Sequence, residues 1–267
     1  MRKSGRKPFG AEALLYGRHA VAAALANPER HWRHLLVLAG HEEEATALAA
    51  GARARRRPYV DDRGDDRGGA AISVLDQSGF AAILPRDAVH QGLALEVEPL
   101  PEPDLDSVLR TGPASGQSVI VVLDQLSDPQ NIGAVLRSAA AFGALAVVIP
   151  AHGAPPKAGA LAKAASGALE RVPLVRVVNL ARALDRLKGA GFWVCGLDET
   201  APQPLAQLDA GERVAIVLGS EGVGIRRLVR ERCDFHARLP TRPAQPTLNV
   251  SNAAAVALYE LTRRGDG

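Results

Sequence analysis

Cysteine is nearly absent: only Cys195 and Cys233 carry a thiol in 267 residues. They stand far apart, with no CxxC pair and no histidine at ligand spacing, so neither a disulfide scaffold nor a metal site is expected. Aromatic residues are also scarce, at 4%, which leaves aliphatic side chains to build the core. Long apolar runs are missing as well. The longest uncharged stretch, residues 138–156, is broken by Gly143, Pro150 and Gly153 into a helix end, a strand and a loop, which argues against a membrane span. The N-terminus is basic but lacks the apolar segment of a signal peptide. Residues 1–12 therefore read as a disordered basic arm, and the expected location is cytoplasmic.

What is present points to two globular domains. The length suits two cores, and the balance of 47% hydrophobic to 23% charged residues is that of an ordinary globular protein. The net charge is only +3, yet the basic residues cluster: Arg2, Lys3, Arg6 and Lys7; then Arg53, Arg55, Arg56 and Arg57; then Arg226, Arg227, Arg230 and Arg232. Such clusters are expected where nucleic-acid phosphates are contacted, although a solvated face carries them too.

Residues 13–98 show short mixed signals: a helical stretch over His19–Leu25, a strand over Leu35–Leu38, a helix over Glu42–Ala50, and strands over Ile72–Leu75 and Leu93–Val97. Between them, the Arg/Asp/Gly-rich residues 53–69 cannot bury surface and read as a solvated loop. Residues 99–116, rich in proline and acids, read as a linker or a long crossover segment. From residue 117 onward, β-branched runs at Val119–Leu123, Ala146–Ile149, Val175–Val178, Trp193–Gly196 and Val214–Leu218 alternate with helical segments. This is the pattern of an α/β fold with a mostly parallel sheet covered on both faces. The last helix, from Val250, places Val250, Ala254, Ala257, Leu258 and Leu261 on one stripe that must be covered.

Ligands of parallel sheets bind beyond the C-terminal strand ends, and three segments there are chemically unusual. After Leu123 comes DQLSDPQNIG and a helix. Asp128-Pro129 suits a helix start and Asn131 could serve as its cap. Arg137 lies among small and apolar residues, where an unpaired buried guanidinium would be costly, so a role facing phosphate or carboxylate is the better explanation. After Leu218 comes GSEGVG, in which glycines admit close backbone approach around the lone acid Glu221. Its GxxGxG order is not the GxGxxG of nicotinamide dehydrogenases. The third segment, Leu239-Pro240 and then Thr247-Leu248-Asn249-Val250-Ser251-Asn252, carries more polar groups than a helix cap needs.

In this order, DPQNIGAVLRSA, IVLGSEGVGI and LPT…TLNVSNAAAVALYE resemble the three signature motifs of the SpoU (TrmH-like) RNA methyltransferases. LLYGRHAVAAAL and VHQGLALEV are similar, more weakly, to the N-terminal RNA-binding domain of the bacterial enzymes that methylate a guanosine 2'-oxygen in 23S rRNA. The resemblance implies a trefoil-knotted parallel-sheet (SPOUT) catalytic domain over 117–267, a smaller α/β RNA-binding domain over 13–98, and a homodimer. It further implies S-adenosylmethionine as cofactor, held by Leu218, Gly219, Leu239, Thr247 and Leu248, and Asn131, Arg137, Glu221 and Asn249 at catalytic positions. The family usually has Ser-Leu-Asn where this chain has Thr247-Leu248-Asn249, and threonine keeps the hydroxyl. The implied activity is 2'-O-ribose methylation of RNA, with ribosomal RNA favoured over tRNA by the N-terminal similarity. A non-catalytic RNA-binding assembly factor is the alternative of another class, and retention of Asn131, Arg137 and Glu221 argues against it.

In that reaction the ribose hydroxyl must lose a proton as it attacks, and a nearby cation is the natural stabiliser of the developing alkoxide. Arg137 fits that role. Asn131 and Glu221 would orient it or the substrate.

Overall fold

The structure is a computed structural model and describes residues 14–53, 71–86, 88–112, 116–155, 160–242 and 247–263. The basic arm, nearly all of the 53–69 segment and residues 243–246 lie outside the described residues. The elements run β1 (Leu14–Tyr16), α1 (Arg18–Ala26), β2 (Trp32–Leu38), α2 (Glu42–Arg53), β3 (Ala71–Leu75), α3 (Gln77–Ile83) and β4 (Leu93–Val97). They continue as α4 (Leu105–Thr111), β5 (Ser118–Leu123), α5 (Pro129–Ala141), β6 (Ala146–Pro150), α6 (Ala160–Ala165), β7 (Leu174–Val177) and α7 (Leu180–Gly189). The series closes with β8 (Trp193–Leu197), β9 (Gln203–Pro204), β10 (Arg213–Leu218), α8 (Arg227–Arg230), β11 (Phe235–Arg238) and α9 (Val250–Thr262).

Two compact units result, residues 1–101 with 156–170, and residues 102–155 with 171–267. In the first, four strands lie in the order β1-β4-β2-β3, with β4 antiparallel to both neighbours and β2 parallel to β3. Leu14, Tyr16, Leu36, Phe80 and Ala94 form one of its cores. Glu170 belongs to this unit, where it pairs with Arg30 at 2.5 Å, the two side chains being 4% and 7% exposed. Asn27 donates to the same carboxylate, so the buried charges are matched by hydrogen bonds, the condition under which such a pair is tolerated.

The second unit is a seven-stranded sheet in the order β7-β6-β5-β10-β8-β11-β9, and every pairing is parallel. Its β-branched strands are almost wholly buried, as strands covered on both faces must be. Helix α5 starts where Asp128 accepts from the amides of Gln130 and Asn131, with Pro129 supplying the fixed φ of the first turn. Asp128, not Asn131, is thus the cap. Helix α9 buries Val250, Ala254, Ala257, Leu258 and Leu261, the stripe expected from spacing, and packs chiefly on α5. Within the proline-rich stretch 99–116, α4 forms because Asp104 caps it and Leu105 and Val108 meet the core three residues apart. One strand is shifted: β7 ends at Val177, and Val178, expected inside it, is 97% exposed.

Candidate active site

Strands β5 and β10 are neighbours whose last residues, Leu123 and Leu218, are in register. The two loops that follow them therefore leave the sheet side by side, and the Asp124 amide donates to the Leu218 carbonyl at 2.8 Å. Strand β8 lies on the other side of β10. A cavity of about 700 Å³ opens beyond these strand ends, within the size range of small-molecule sites. Leu218, Gly219, Leu239, Thr247 and Leu248 all line it, as do Glu221 and Asn249. Asn131 and Arg137 are not in its wall.

The glycine segment is a closed loop. Ser220 and Gly224 bridge antiparallel, the Gly224 amide donates to the Ser220 carbonyl at 2.9 Å, and Gly222 and Gly224 have φ of 80° and 72°. A Cβ on Gly219 would lie 2.0 Å from the Gly224 carbonyl carbon. Gly219 is required by contact, whereas Gly222 and Gly224 are required by left-handed backbone conformation.

The three motifs converge on one amide group. The Asn249 Oδ1 caps α9 by accepting from the Ser251 amide at 2.9 Å and the Ser251 hydroxyl at 2.6 Å. Its Nδ2 donates to Asn131 Oδ1 at 3.1 Å and to Glu221 Oε1 at 2.7 Å. The cap thus fixes the rotamer, and the rotamer links the loops after β5 and β10. Arg137 is not part of this network. Six residues beyond Asn131, it lies about 240° around and about 9 Å along α5. Its side chain is exposed, so the expected penalty of a buried guanidinium does not arise. No side-chain bond to it exists among the described residues.

The cavity wall also contains Arg230 of the third basic cluster, and Asp198, Glu199 and Thr200, which none of the three motifs includes. Asp198 pairs with Arg230 and accepts from the Thr200 amide and hydroxyl at 2.8 and 2.7 Å. Burial by itself would raise the Asp198 carboxyl, but the Thr200 hydrogen bonds and the Arg230 charge outweigh it and hold it below the usual range. The signal was available, because Leu197–Thr200 directly follows a β-branched strand, the same criterion that singled out the other three segments. Behind this wall, burial pushes the Cys195 and Cys233 thiols up to about 12, so both are protonated at neutral pH and poor nucleophiles. Among the described residues there is no group of three His, Cys, Asp or Glu able to hold a metal ion.

A profile of the SpoU rRNA Methylase family matches residues 118–259. The chain belongs to the SpoU family. It is 35% identical over 253 residues to the 23S rRNA (guanosine-2'-O-)-methyltransferase RlmB of Pseudomonas syringae, covering 94% of this chain and 95% of that one. It is 33% identical over 254 residues to a Staphylococcus aureus protein described as a TrmH family tRNA/rRNA methyltransferase, covering 95% of this chain and 96% of that one. Its fold matches that of the SpoU methyltransferase AviRb of Streptomyces viridochromogenes, solved with AdoMet, at a TM-score of 0.74 and 22% identity over 94% of this chain and 89% of that one. In this SpoU-family chain Asn249 joins one residue from each of the other two motifs, and Arg137 stands outside that network.

Proposed function

We propose that the protein transfers a methyl group from S-adenosylmethionine to a ribose 2'-oxygen of RNA, the acceptor being a guanosine in 23S ribosomal RNA. The observation that carries this reading is the Asn249 amide, which joins Asn131 and Glu221 at the rim of a cavity whose wall holds all five residues expected to bind the cofactor. The wall chemistry fits S-adenosylmethionine: Leu218, Ile225, Leu239 and Leu248 offer apolar surface for the adenine, and Asp198, Glu199 and Glu221 offer negative charge toward the ammonium and sulfonium. The threading of a trefoil knot and the homodimer belong to this same reading. Val256 and Tyr259, 47% and 56% exposed on α9, are the surface offered to a second copy, and sedimentation at twice the 28.0 kDa chain mass checks it.

When bound, the cofactor supplies an activated methyl group. The residues of this chain hold and orient the acceptor, whose hydroxyl proton passes to water as the oxygen attacks. Glu221, held by Asn249, keeps a fixed orientation with one carboxylate oxygen committed to the amide. Asn131, held through its Oδ1 by the same Nδ2, keeps its own amide nitrogen as a donor not used in that contact. Arg137 supplies positive charge to the ribose oxygen or the adjacent phosphate, which favours the alkoxide-like transition state. Free arginine is too basic to accept the proton readily, so its part is electrostatic.

Ribosomal rather than transfer RNA is supported by the similarity to the 23S rRNA enzyme, 35% identical over 94% of the chain, an extent greater than the sheet of residues 117–267 alone can supply. Incubation with S-adenosylmethionine and unmodified 23S rRNA, with tRNA in parallel, tests it. A single new 2'-O-methylguanosine in the rRNA is expected. Methylation of tRNA alone would refute the rRNA assignment, and methylation of neither would refute the reading as a whole.

A further inference from the structure

From the pair Asp124–Arg226 we infer that these two residues position the glycine loop for cofactor binding; this rests on the cofactor reading above. Asp124 has no solvent exposure, yet nothing in the proposed chemistry uses it. Its carboxylate receives three bonds from one residue: the Arg226 backbone amide at 2.8 Å, Arg226 Nε at 2.8 Å and Arg226 Nη2 at 2.6 Å. Arg226 directly follows the closed loop 219–225. The loop's other end continues from β10, in register with β5.

Between these ends the loop is closed on itself by the Ser220–Gly224 bridge, Ile225 packs against the core, and the tip contacts the rest of the site through Glu221 and Asn249. Val223 is 75% exposed, and Glu221 and Gly222 are exposed. Glu221 reaches Asn249 only if the loop stays in place, and Gly219 to Ile225 form one wall of the cavity. Asp124 also begins the segment that leads to Asn131. One buried carboxylate therefore fixes the relative position of the Asn131 and Glu221 loops while touching neither residue. Burying it costs solvation that the Arg226 contacts offset, so the two residues should act as a unit.

The test is a double-mutant cycle of Asp124→Asn, Arg226→Gln and the double variant, with Arg226→Lys as the conservative control. S-adenosylmethionine affinity is measured by calorimetry, amide exchange of residues 221–226 in the cofactor-free protein by hydrogen–deuterium exchange, and the unfolding midpoint by circular dichroism. Because Arg226 is half-exposed, its variants are expected to fold even if Asp124→Asn does not. Arg226→Gln should raise the dissociation constant about tenfold and speed loop exchange, and the double variant should be no worse than the poorer single variant. Arg226→Lys should stay within about threefold of wild type, because lysine keeps one charged donor. A folded Arg226→Gln protein that binds S-adenosylmethionine as wild type does, with unchanged loop exchange, overturns the inference, even if its midpoint falls. Wild-type protein that fails to bind S-adenosylmethionine would instead refute the cofactor reading.

Discussion

Arg137 and Asn249 are opposite kinds of functional side chain. Asn249 spends its whole hydrogen-bonding capacity inside the protein, with Oδ1 accepting from Ser251 and Nδ2 donating to Asn131 and Glu221. Arg137 spends none among the described residues. Removing Asn249 should disturb cap, loops and cavity together, so its loss is uninformative about chemistry. Arg137→Ala should be clean, since an exposed side chain with no internal partner contributes little to folding. Methyl transfer is expected to fall by about 100-fold or more, the scale of a lost transition-state donor, with S-adenosylmethionine affinity within twofold of wild type and an unchanged unfolding midpoint. Turnover like that of the unaltered enzyme would remove Arg137 from the mechanism.

At the scale of elements, the glycine loop shows how much of the site was legible. Its composition announced close backbone approach, and the strand before it was evident from Val214–Leu218. Which glycine meets a ligand and which meets its own loop could not be read, because that depends on closure by the Ser220–Gly224 bridge. The strand order was equally hidden. Alternation of β-branched runs predicts a parallel sheet, but not that β10 inserts between β5 and β8, and it is this insertion that puts the Asn131 and Glu221 loops together. Strands β9 and β11 were missed: one has two residues, and the other, Phe235–Arg238, alternates polar and apolar residues over too short a span to register. Gly219→Ala separates the two meanings of glycine. Its Cβ would meet backbone at 2.0 Å, which a loop can relieve only by moving, so cofactor affinity should drop by about tenfold or more. Gly189→Ala, at the end of α7 with open space around it, should leave affinity unchanged and raise stability by about 0.5 kcal/mol. Equal affinities in the two variants would show that loop closure does not shape the cavity.

For the molecule as a whole, the question is which charges are available to RNA. The cluster Arg226, Arg227, Arg230 and Arg232 reads in sequence as one phosphate-binding patch, but the structure pairs every member with an acid: Asp124, Glu231, Asp198 and Asp185 respectively. The pairs are not equivalent. Asp124 and Asp198 are 0% and 12% exposed, and stripping the cation from a buried carboxylate is expensive, so Arg226 and Arg230 are committed inward. Glu231 and Asp185 are 50% and 51% exposed, and pairs of that kind are worth about 1 kcal/mol at most. A phosphate can displace them. Arg227 and Arg232 are therefore the members of this cluster whose charge is available to a phosphate. Each phosphate contact contributes about 0.9 to the slope of log affinity against log salt for duplex DNA and about 0.7 for a single strand. In anisotropy titrations of rRNA between low and physiological salt, without cofactor, Arg227→Ala/Arg232→Ala should reduce the slope by between one and two, and Arg226→Gln should leave it unchanged. The reverse ranking would mean that RNA binding breaks the buried pairs, and that the Asp124–Arg226 contact is a switch and not a fixed support.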